Sequence, residues 1–419
     1  MAHEILEGIR VLDLTAHQLG PVNTMMLAAM GAEVIKIEPP AGEAGRGRAI
    51  ISPDVVRGGE GKGLGGENLS AYFETNNRCK KGIVLDLKRP RAREVLHQLV
   101  AKSDVFVQNM RHGVADKLGC GYETLKKYNP RLIYCHGTSF GTKGPDAAKP
   151  GFDMSGMARS GWMYMAPSDA GEPICALGGS SDQMGAIFGS YAVVAALYAR
   201  ERFGLGQEVE TSHLTASMWL LGLRIQMHYY GAEPILPHVP RERFSNPIFN
   251  SYKCAGGEWI CLACTDNNQW ADVCEALGLP ESSKLDPRFS TSAARKENAR
   301  ECISMLDKAF ARKRREEWIK RFEGTRIFWE KVQRMEDVDR DPQVIANEYM
   351  TDYTHPLTGQ SYQYLHVPMQ FSETPAMRQG RAPLLGEHTE EIMVEILGYK
   401  AEDLPKLLDE IGRPDSSLK

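Results

Sequence analysis

The chain has 419 residues, 42% of them hydrophobic and 25% charged, with a formal net charge of −4 at pH 7. This length and mix describe a globular protein of two or three domains with a large core. The acidic balance lacks the basic footprint of a nucleic-acid binder, and the longest mostly apolar stretch, residues 191–199, is too short to cross a bilayer.

The N-terminal run MAHEILEGIRVLDL carries early acids and no apolar leader core, so no signal peptide is expected. Within it IRVLDL reads as a strand. TAHQLGPVNTMMLAAMG follows with a helical pattern and a glycine stop, and AEVIKIEPP reads as a second strand. Strand–helix–strand over about thirty residues is a βαβ unit and implies a parallel sheet. The pattern recurs in GIVLDL (strand), PRAREVLHQLVAKS (helix), DVFVQN (strand), YETLKKYNP (helix) and RLIYCHG (strand). The expected fold class is therefore α/β, a Rossmann-like doubly wound core with ligands at the carboxyl ends of its strands.

Residues 41–68 break the pattern and, rich in glycine and charge, read as a loop. GKGLGG at 61–66 formally matches G-x-G-x-x-G, but no convincing strand leads into it and no clear helix opens from it. The first βα turn, DLTAHQLGP, lacks the glycines that a pyrophosphate needs. A nicotinamide or flavin dehydrogenase is disfavoured on both counts.

Further along, DQMGAIFGSYAVVAALYARER reads as a long apolar helix, GLGQEVETSHL as a turn into a strand, and TASMWLLGLRIQMHYYG as another helix. Residues 232–250, rich in Pro, Arg and Asn, suggest a linker. Residues 251–335 read as a smaller α/β unit, with a strand at EWICLAC and helices around NQWADVCEALG, ARKENARECISMLDKAFAR and REEWIKRFEG. The end, RAPLLGEHTEEIMVEILGYKAEDLPKLLDEIG, reads as a loop and two helices.

Nine cysteines are scattered without a repeating framework, so reduced thiols in a cytoplasm are expected rather than disulfides. Cys261 and Cys264 form a Cys-x-x-Cys pair, with no second pair or histidines at zinc spacing. Their continuous apolar setting reads as core packing rather than a metal or redox site.

The sequence holds no P-loop and no H-E-x-x-H, which removes the usual support for nucleotide hydrolysis and zincin chemistry. What remains is a set of carboxylates, amides and glycines on loops after strands. Asp169, in APSDAGEP, keeps turn-forming company and reads either as a turn residue or as a nucleophilic carboxylate. Gln18, in TAHQLGP, is either a polar residue at a helix start or a hydrogen-bond donor to developing charge. The residues alone lead to a cytosolic α/β enzyme with a small-molecule substrate.

Taken in order, LEGIRVLDLT…GP, GAEVIKIEPP, NNRCKKGIVLDLK, DVFVQNMRHGVADKLGCGYETLKKYNPRLIY, GFDMSGMARSG, GLGQEVETS, DPQVIA and APLLGEHTEEIMVEILG resemble the class III CoA-transferases, the family of the formyl-CoA:oxalate and carnitine enzymes. The resemblance runs over nearly the whole chain. The family's catalytic aspartate lies in a loop resembling G-x-P-D-G-P-P, after a P-G-Y-D…S-G stretch, and so maps to Asp169. Its amide beside that carboxylate maps to Gln18. The CoA contacts that the resemblance implies are Asn109, Lys117 and Arg46, with Arg111 and His17 as further candidates. CoA enters as a substrate, acyl-CoA with a carboxylic acid. No permanent cofactor, metal, nucleic acid or membrane is implied.

The family also implies an interlocked, ring-like dimer, either a homodimer or a heteromer with a related subunit. Residues 1–225 would form the N-terminal part of a large CoA-binding and catalytic domain. Residues 226–250 would be a linker and 251–335 a small domain. Residues 336–419 would return to complete the large domain. The chain departs from the family at Pro39, Thr138 and Phe140, where the oxalate enzyme has CoA-site residues, and the glycine-rich flap is only hinted at by Gly256 and Gly257. IFWEKVQ also stands in for a usual Pro-Val segment. The α-methylacyl-CoA racemases share the fold and are the alternative. They need a histidine in a G-H-D motif, where this chain has GFD with Phe152, and a phenyl ring cannot move a proton. Their aspartate aligns with Asp182, which is present, and Asp153 sits in the stretch both branches share. Trp162, Met163, Tyr164 and Met165, just before Asp169, favour an aromatic or alkyl acid over oxalate.

Overall fold

Six short runs of β-branched and apolar residues form one parallel sheet. They are β1 (Arg10–Leu14), β2 (Glu33–Glu38), β3 (Lys81–Val84), β4 (Val105–Gln108), β5 (Ile133–Thr138) and β6 (Gln207–Ser212), in the spatial order β3-β2-β1-β4-β5-β6. The computed structural model describes residues 3–46, 70–165, 172–175, 177–231 and 240–415. The sheet is mixed-order, parallel throughout, with Leu12 of β1 level with Ile35 of β2 and with Phe106 of β4. This is the doubly wound α/β class that the sequence predicts.

Alternation explains why these strands read as continuous apolar runs. Val11, Val34, Val105 and Ile133 enter a core with α1 (Leu19–Ala29) and the helix Ser180–Phe203, while Leu12, Ile35, Ile83 and Phe106 enter a second core on the other face. Both faces are covered, so neither carries a polar set. The second core is completed by the helix Leu404–Ile411 and by Leu96 and Leu99, so the C-terminal residues belong to the same unit as the first strands.

The helices that position the crevice above the sheet are α1, α2 (Ala71–Asn77), α3 (Pro90–Ala101), α4 (Asp153–Ser160), α5 (Ser180–Phe203), α6 (His213–Leu220) and α7 (Gly222–Tyr229). α1 is buried over its whole length. It can lie against α5 because α5 presents glycines there: a Cβ on Gly185 would stand 2.7 Å from Leu19 Cδ1, and one on Gly189 would collide with the Asn23 amide. The chain divides into two compact units, Met1–Met163 with Ile174–Ile235 and Asn347–Lys419, and Tyr164–Pro173 with Leu236–Ala346. The second unit contains the antiparallel sheet β7 (Phe249–Lys253), β8 (Trp259–Ala263) and β9 (Trp329–Val332), with an aromatic core around Trp270, Phe310, Trp318 and Phe322. Cys261 alternates with the core residues Ile260 and Leu262, whereas Cys264 lies inside that core, so the two thiols sit on opposite sides of their strand.

The structure differs from the sequence reading in places, each with a local cause. The helix expected over 215–231 breaks at Leu221, just before the weak helix former Gly222. The helix expected over ARKENARECISMLDKAFAR breaks at Asn298, whose side-chain amide donates to Ala294 O at 2.9 Å and competes with the helix ladder. YETLKKYNP forms only one helical turn, Tyr122–Leu125. β7 begins within residues read as linker, and the hairpin Met350–Thr354/Ser361–Leu365 and α2 were not legible as periodic patterns. The GKGLGG match lies outside the described residues.

α2 carries a buried carboxylate with a measurable consequence. Glu74 Oε1 accepts from Ala382 N at 2.9 Å and lies 3.7 Å from the fully buried His355. Burial raises its pKa from the usual 4.5 to about 7, against the lowering pull of the Ala382 N–H and of Arg381, Arg78 and Arg46. A raised carboxylate pKa stabilises the fold below the unfolded value and loses that contribution as pH rises through the folded value. Glu74→Gln keeps the acceptor and removes the titration. Its stability should equal wild type near pH 4.5 and exceed it by up to about 3 kcal/mol at pH 8, measured as paired urea melts across that range. A gap that stays flat with pH would refute the assignment.

Candidate active site

In an open parallel sheet the binding crevice lies beyond the carboxyl ends of the strands where the strand order reverses, here between β1 and β4. The loop after β1 and the residue after β4 are tied together at that point. Asn109 Oδ1 accepts from Ala16 N at 2.9 Å and its Nδ2 donates to Ala16 O at 2.7 Å. Glycine permits the approach, since a Cβ on Gly20 would stand 2.5 Å from Thr15 and 3.1 Å from the Asn109 side chain. His17 then takes a left-handed backbone (φ 68°), unusual for a residue with a Cβ. Its N–H donates to Glu43 Oε2 at 3.2 Å, its carbonyl accepts from Asn76 Nδ2 at 3.3 Å, and its ring meets Phe152 edge-on at 5.4 Å. Phe152 itself is 61% exposed.

Beneath this loop sits a buried ionic cluster. Asp13, at the end of β1, accepts from Lys80 Nζ at 2.8 Å, from Thr24 Oγ1 at 2.7 Å and from Thr15 N at 3.0 Å. Burial acts to raise its pKa, yet Lys80 and Lys36 hold the carboxyl below the usual range. Lys36 Nζ also donates to Thr15 O at 3.0 Å, so the cluster holds the loop from below.

The helix starts supply the rest of the crevice. Neither α1 nor α5 has a side-chain cap from its own N-cap residue. Asp153, in the first turn of α4, accepts from Gly179 N (2.8 Å), Ser181 N (2.7 Å) and Asp182 N (3.1 Å), and so caps α5 from another helix. Asp182 Oδ1 in turn accepts from Leu19 N (3.2 Å), the first residue of α1, and pairs with His213 Nε2 (2.8 Å), the first residue of α6. The Gln18 amide lies within 3.2 Å of where a Cβ on Gly179 would stand, and its Nε2 donates to Gln183 Oε1 at 3.4 Å. Gly179 has φ 79° and ends the chain segment that contains Asp169. Tyr72 of α2 faces the same group: burial, then the charges of Asp182, Glu43 and Asp153, push its phenol well above the usual range.

Asp169 itself lies outside the described residues. On either side of it Ile174 N donates to Met163 O at 3.4 Å. Cys175, just beyond, has its thiol raised by burial and by the charge of Asp153. Among the suggested CoA contacts, Lys117 and Arg111 are exposed, and neither makes an ion pair among the described residues. Arg46 is engaged within the protein. Its Nε and Nη2 donate to the two oxygens of the buried Glu38 (2.7 and 2.6 Å), Nη2 also reaches Pro383 O, and the guanidinium lies 3.8 Å over the Phe73 ring. Of the departing positions, Thr138 Oγ1 accepts from Gly141 N, and the Phe140 ring lies beneath Lys149 and Arg159. No group of three or more metal-ligating side chains is assembled among the described residues, and no helix there is long and apolar enough to cross a membrane.

Gln18, Asn109 and His17 are thus brought together at the switch point, and Arg46 lies on the adjoining loop. Tyr72 and His213 escaped the sequence reading, since neither falls in a motif. Asp153 and Asp182 were visible only as shared family positions.

A Rossmann-ordered sheet whose switch-point crevice is lined by helix starts, amides and carboxylates defines an α/β protein with a polar crevice at the place where such folds bind ligands. Residues 6–389 match the family model for CoA-transferase family III. The chain is 31% identical over 406 residues to succinyl-CoA:glutarate CoA-transferase of Mus musculus, covering 96% of this chain and 89% of the relative. It is 30% identical over 407 residues to (R)-2-hydroxy-4-methylpentanoate CoA-transferase of Clostridioides difficile, covering 97% and 98%. A solved CAIB/BAIF family protein from Brucella suis superposes with a TM-score of 0.82 at 27% identity, covering 94% of this chain and 100% of that one. The chain belongs to CoA-transferase family III, and it is a transferase that moves CoA.

Proposed function

We propose that the protein transfers CoA from an acyl-CoA to a carboxylic acid through covalent intermediates on Asp169. The observation that carries this reading is the family match over 6–389, with an aspartate at the family's catalytic position in APSDAGEP. An aspartate carboxylate, with a reference pKa of about 3.9, is anionic at neutral pH. It attacks the thioester carbonyl and expels CoA thiolate, leaving an acyl–aspartyl anhydride. The thiolate attacks the aspartyl carbonyl, releasing the donor acid and leaving an aspartyl-CoA thioester. The acceptor carboxylate attacks that thioester and again expels thiolate. The thiolate then takes the new acyl group and frees Asp169. Each step makes and breaks one acyl bond, so a hard exchange is divided into easier ones. Gln18 would donate its amide N–H to the charge that moves between these oxygens, and its place beside Gly179 supports this role.

Lys117 and Arg111 are the cations free to meet CoA phosphates. Asn109, His17 and Arg46 shape the loops around the ligand. The apolar residues 162–165 favour an alkyl or aryl acid, and the name of the Mus musculus relative makes succinyl-CoA the first donor to try. The racemase alternative lacks its imidazole at Phe152. The test is incubation of the purified protein with succinyl-CoA and a panel of alkyl, aryl and dicarboxylic acids, followed by hydroxylamine and peptide mass spectrometry. New acyl-CoA and a hydroxamate or CoA mass on the Asp169 peptide are expected. Exchange of the α-proton for deuterium without CoA transfer would establish the alternative.

The same reading implies an interlocked dimer in a cytoplasmic setting, supported by an extended apolar face and by nine unbridged cysteines. Tyr191, Tyr198, Trp219, Leu223, Tyr229 and Tyr230, on and just after α5–α7, are each more than 60% exposed, the kind of exposed apolar surface that marks an interaction site. Light scattering during size exclusion should report twice the 46.6 kDa chain mass. A monomer at micromolar concentration would refute this.

A further inference from the structure

We propose that Asp182 and His213 are positioning residues for the transfer reaction and act through Gln18. This rests on the reading of Gln18 as a donor to the charge on Asp169. α1 begins with no cap of its own, so the Leu19 N–H is an orphan donor until Asp182 accepts it across from α5. The same oxygen, Oδ1, accepts from His213 Nε2. His213 is buried, and its other ring nitrogen is buried without a partner. Among the described residues Asp182 is therefore the one polar partner of the ring. Nε2 is thus the ring nitrogen that donates to Asp182, an assignment inferred from this network.

The packing leaves the imidazole little room to turn away. A Cβ on Gly156 of α4 would stand 2.5 Å from the His213 backbone, so α4 closes over the start of α6. Asp182 is itself held by Asp153, through its own N–H. The chain of contacts thus runs from α4 through α5 to α1. Its last link fixes the residue directly after Gln18. Freeing Leu19 N–H lets the start of α1 shift and carries the Gln18 amide with it. A displacement near 1 Å at a reacting group costs on the order of 10²-fold in rate.

The test is a double-mutant cycle read in kcat and in KM for acyl-CoA. Asp182→Ala should lower kcat by about 10²-fold with little change in KM. Asp182→Asn, which retains the one oxygen in use, should restore most of that loss. In the Gln18→Ala background, adding Asp182→Ala should cost almost nothing further, because both remove the same contribution. If Asp182→Ala does not fold, the same cycle with His213→Ala decides. Losses that multiply in the double variant, or an Asp182→Asn enzyme as slow as Asp182→Ala, would overturn the proposal while leaving Gln18 in place. A Gln18→Ala enzyme with wild-type kcat would instead overturn the reading of Gln18, and the proposal with it.

Discussion

Asp169→Ala is expected to lower CoA transfer by about 10⁴-fold or more, the scale on which removal of a nucleophile acts. Two described acids of the crevice, Asp153 and Asp182, offer no substitute for the covalent route. Asp153 spends both oxygens on three backbone N–H groups, and Asp182 is bound to Leu19 N and His213. Neither can leave its place to attack a thioester without undoing a helix start. The variant should still bind acyl-CoA, because no CoA contact is removed, and should lose the hydroxylamine-sensitive mass on its peptide. The measurement is a chromatographic assay of acyl-CoA product, with equilibrium binding as a control. Transfer at the wild-type rate in this variant would refute the mechanism, and trapping on another residue would relocate it.

The largest expected effect on stability is at Asp13. Asp13→Ala leaves Lys80 and Lys36 buried without their central counter-charge and strips acceptors from Thr15 and Thr24. Breaking a buried pair from one side costs about 3–5 kcal/mol, because the remaining charge is still out of water. Urea unfolding should show that loss in the midpoint. Removing the second charge as well, Asp13→Ala with Lys80→Met, should recover part of it. A loss below about 1 kcal/mol would show that water reaches the cluster. Lys36 also binds Thr15 O, so the loop carrying His17 and Gln18 should loosen with it.

The parallel sheet was legible because each of its first five strands is buried on both faces and reads as a short apolar run. α2 was not. AYFETNN is seven residues long with no apolar period, and it is held by Ser70 at its start and by contacts to Ala382 and His17. Its Tyr72 therefore stayed invisible as a neighbour of the crevice. The hairpin 350–365 is amphipathic only in its tertiary setting, where Arg78 lies over Tyr364.

Local sequence thus determined the parallel-sheet strands, most of the helices around them and the family, since these depend on short-range pattern and on ordered motifs, and it named the candidate nucleophile. Only the tertiary structure decided which polar groups meet. Asp13 and Lys80 are 67 residues apart, Asp182 and Leu19 are 163 apart, and Arg46, a candidate CoA contact, also pairs with a buried glutamate. The reason is physical. A buried charge or an uncapped helix N–H must be satisfied by whatever the fold brings within 3 Å, and that partner leaves no periodic trace in the chain.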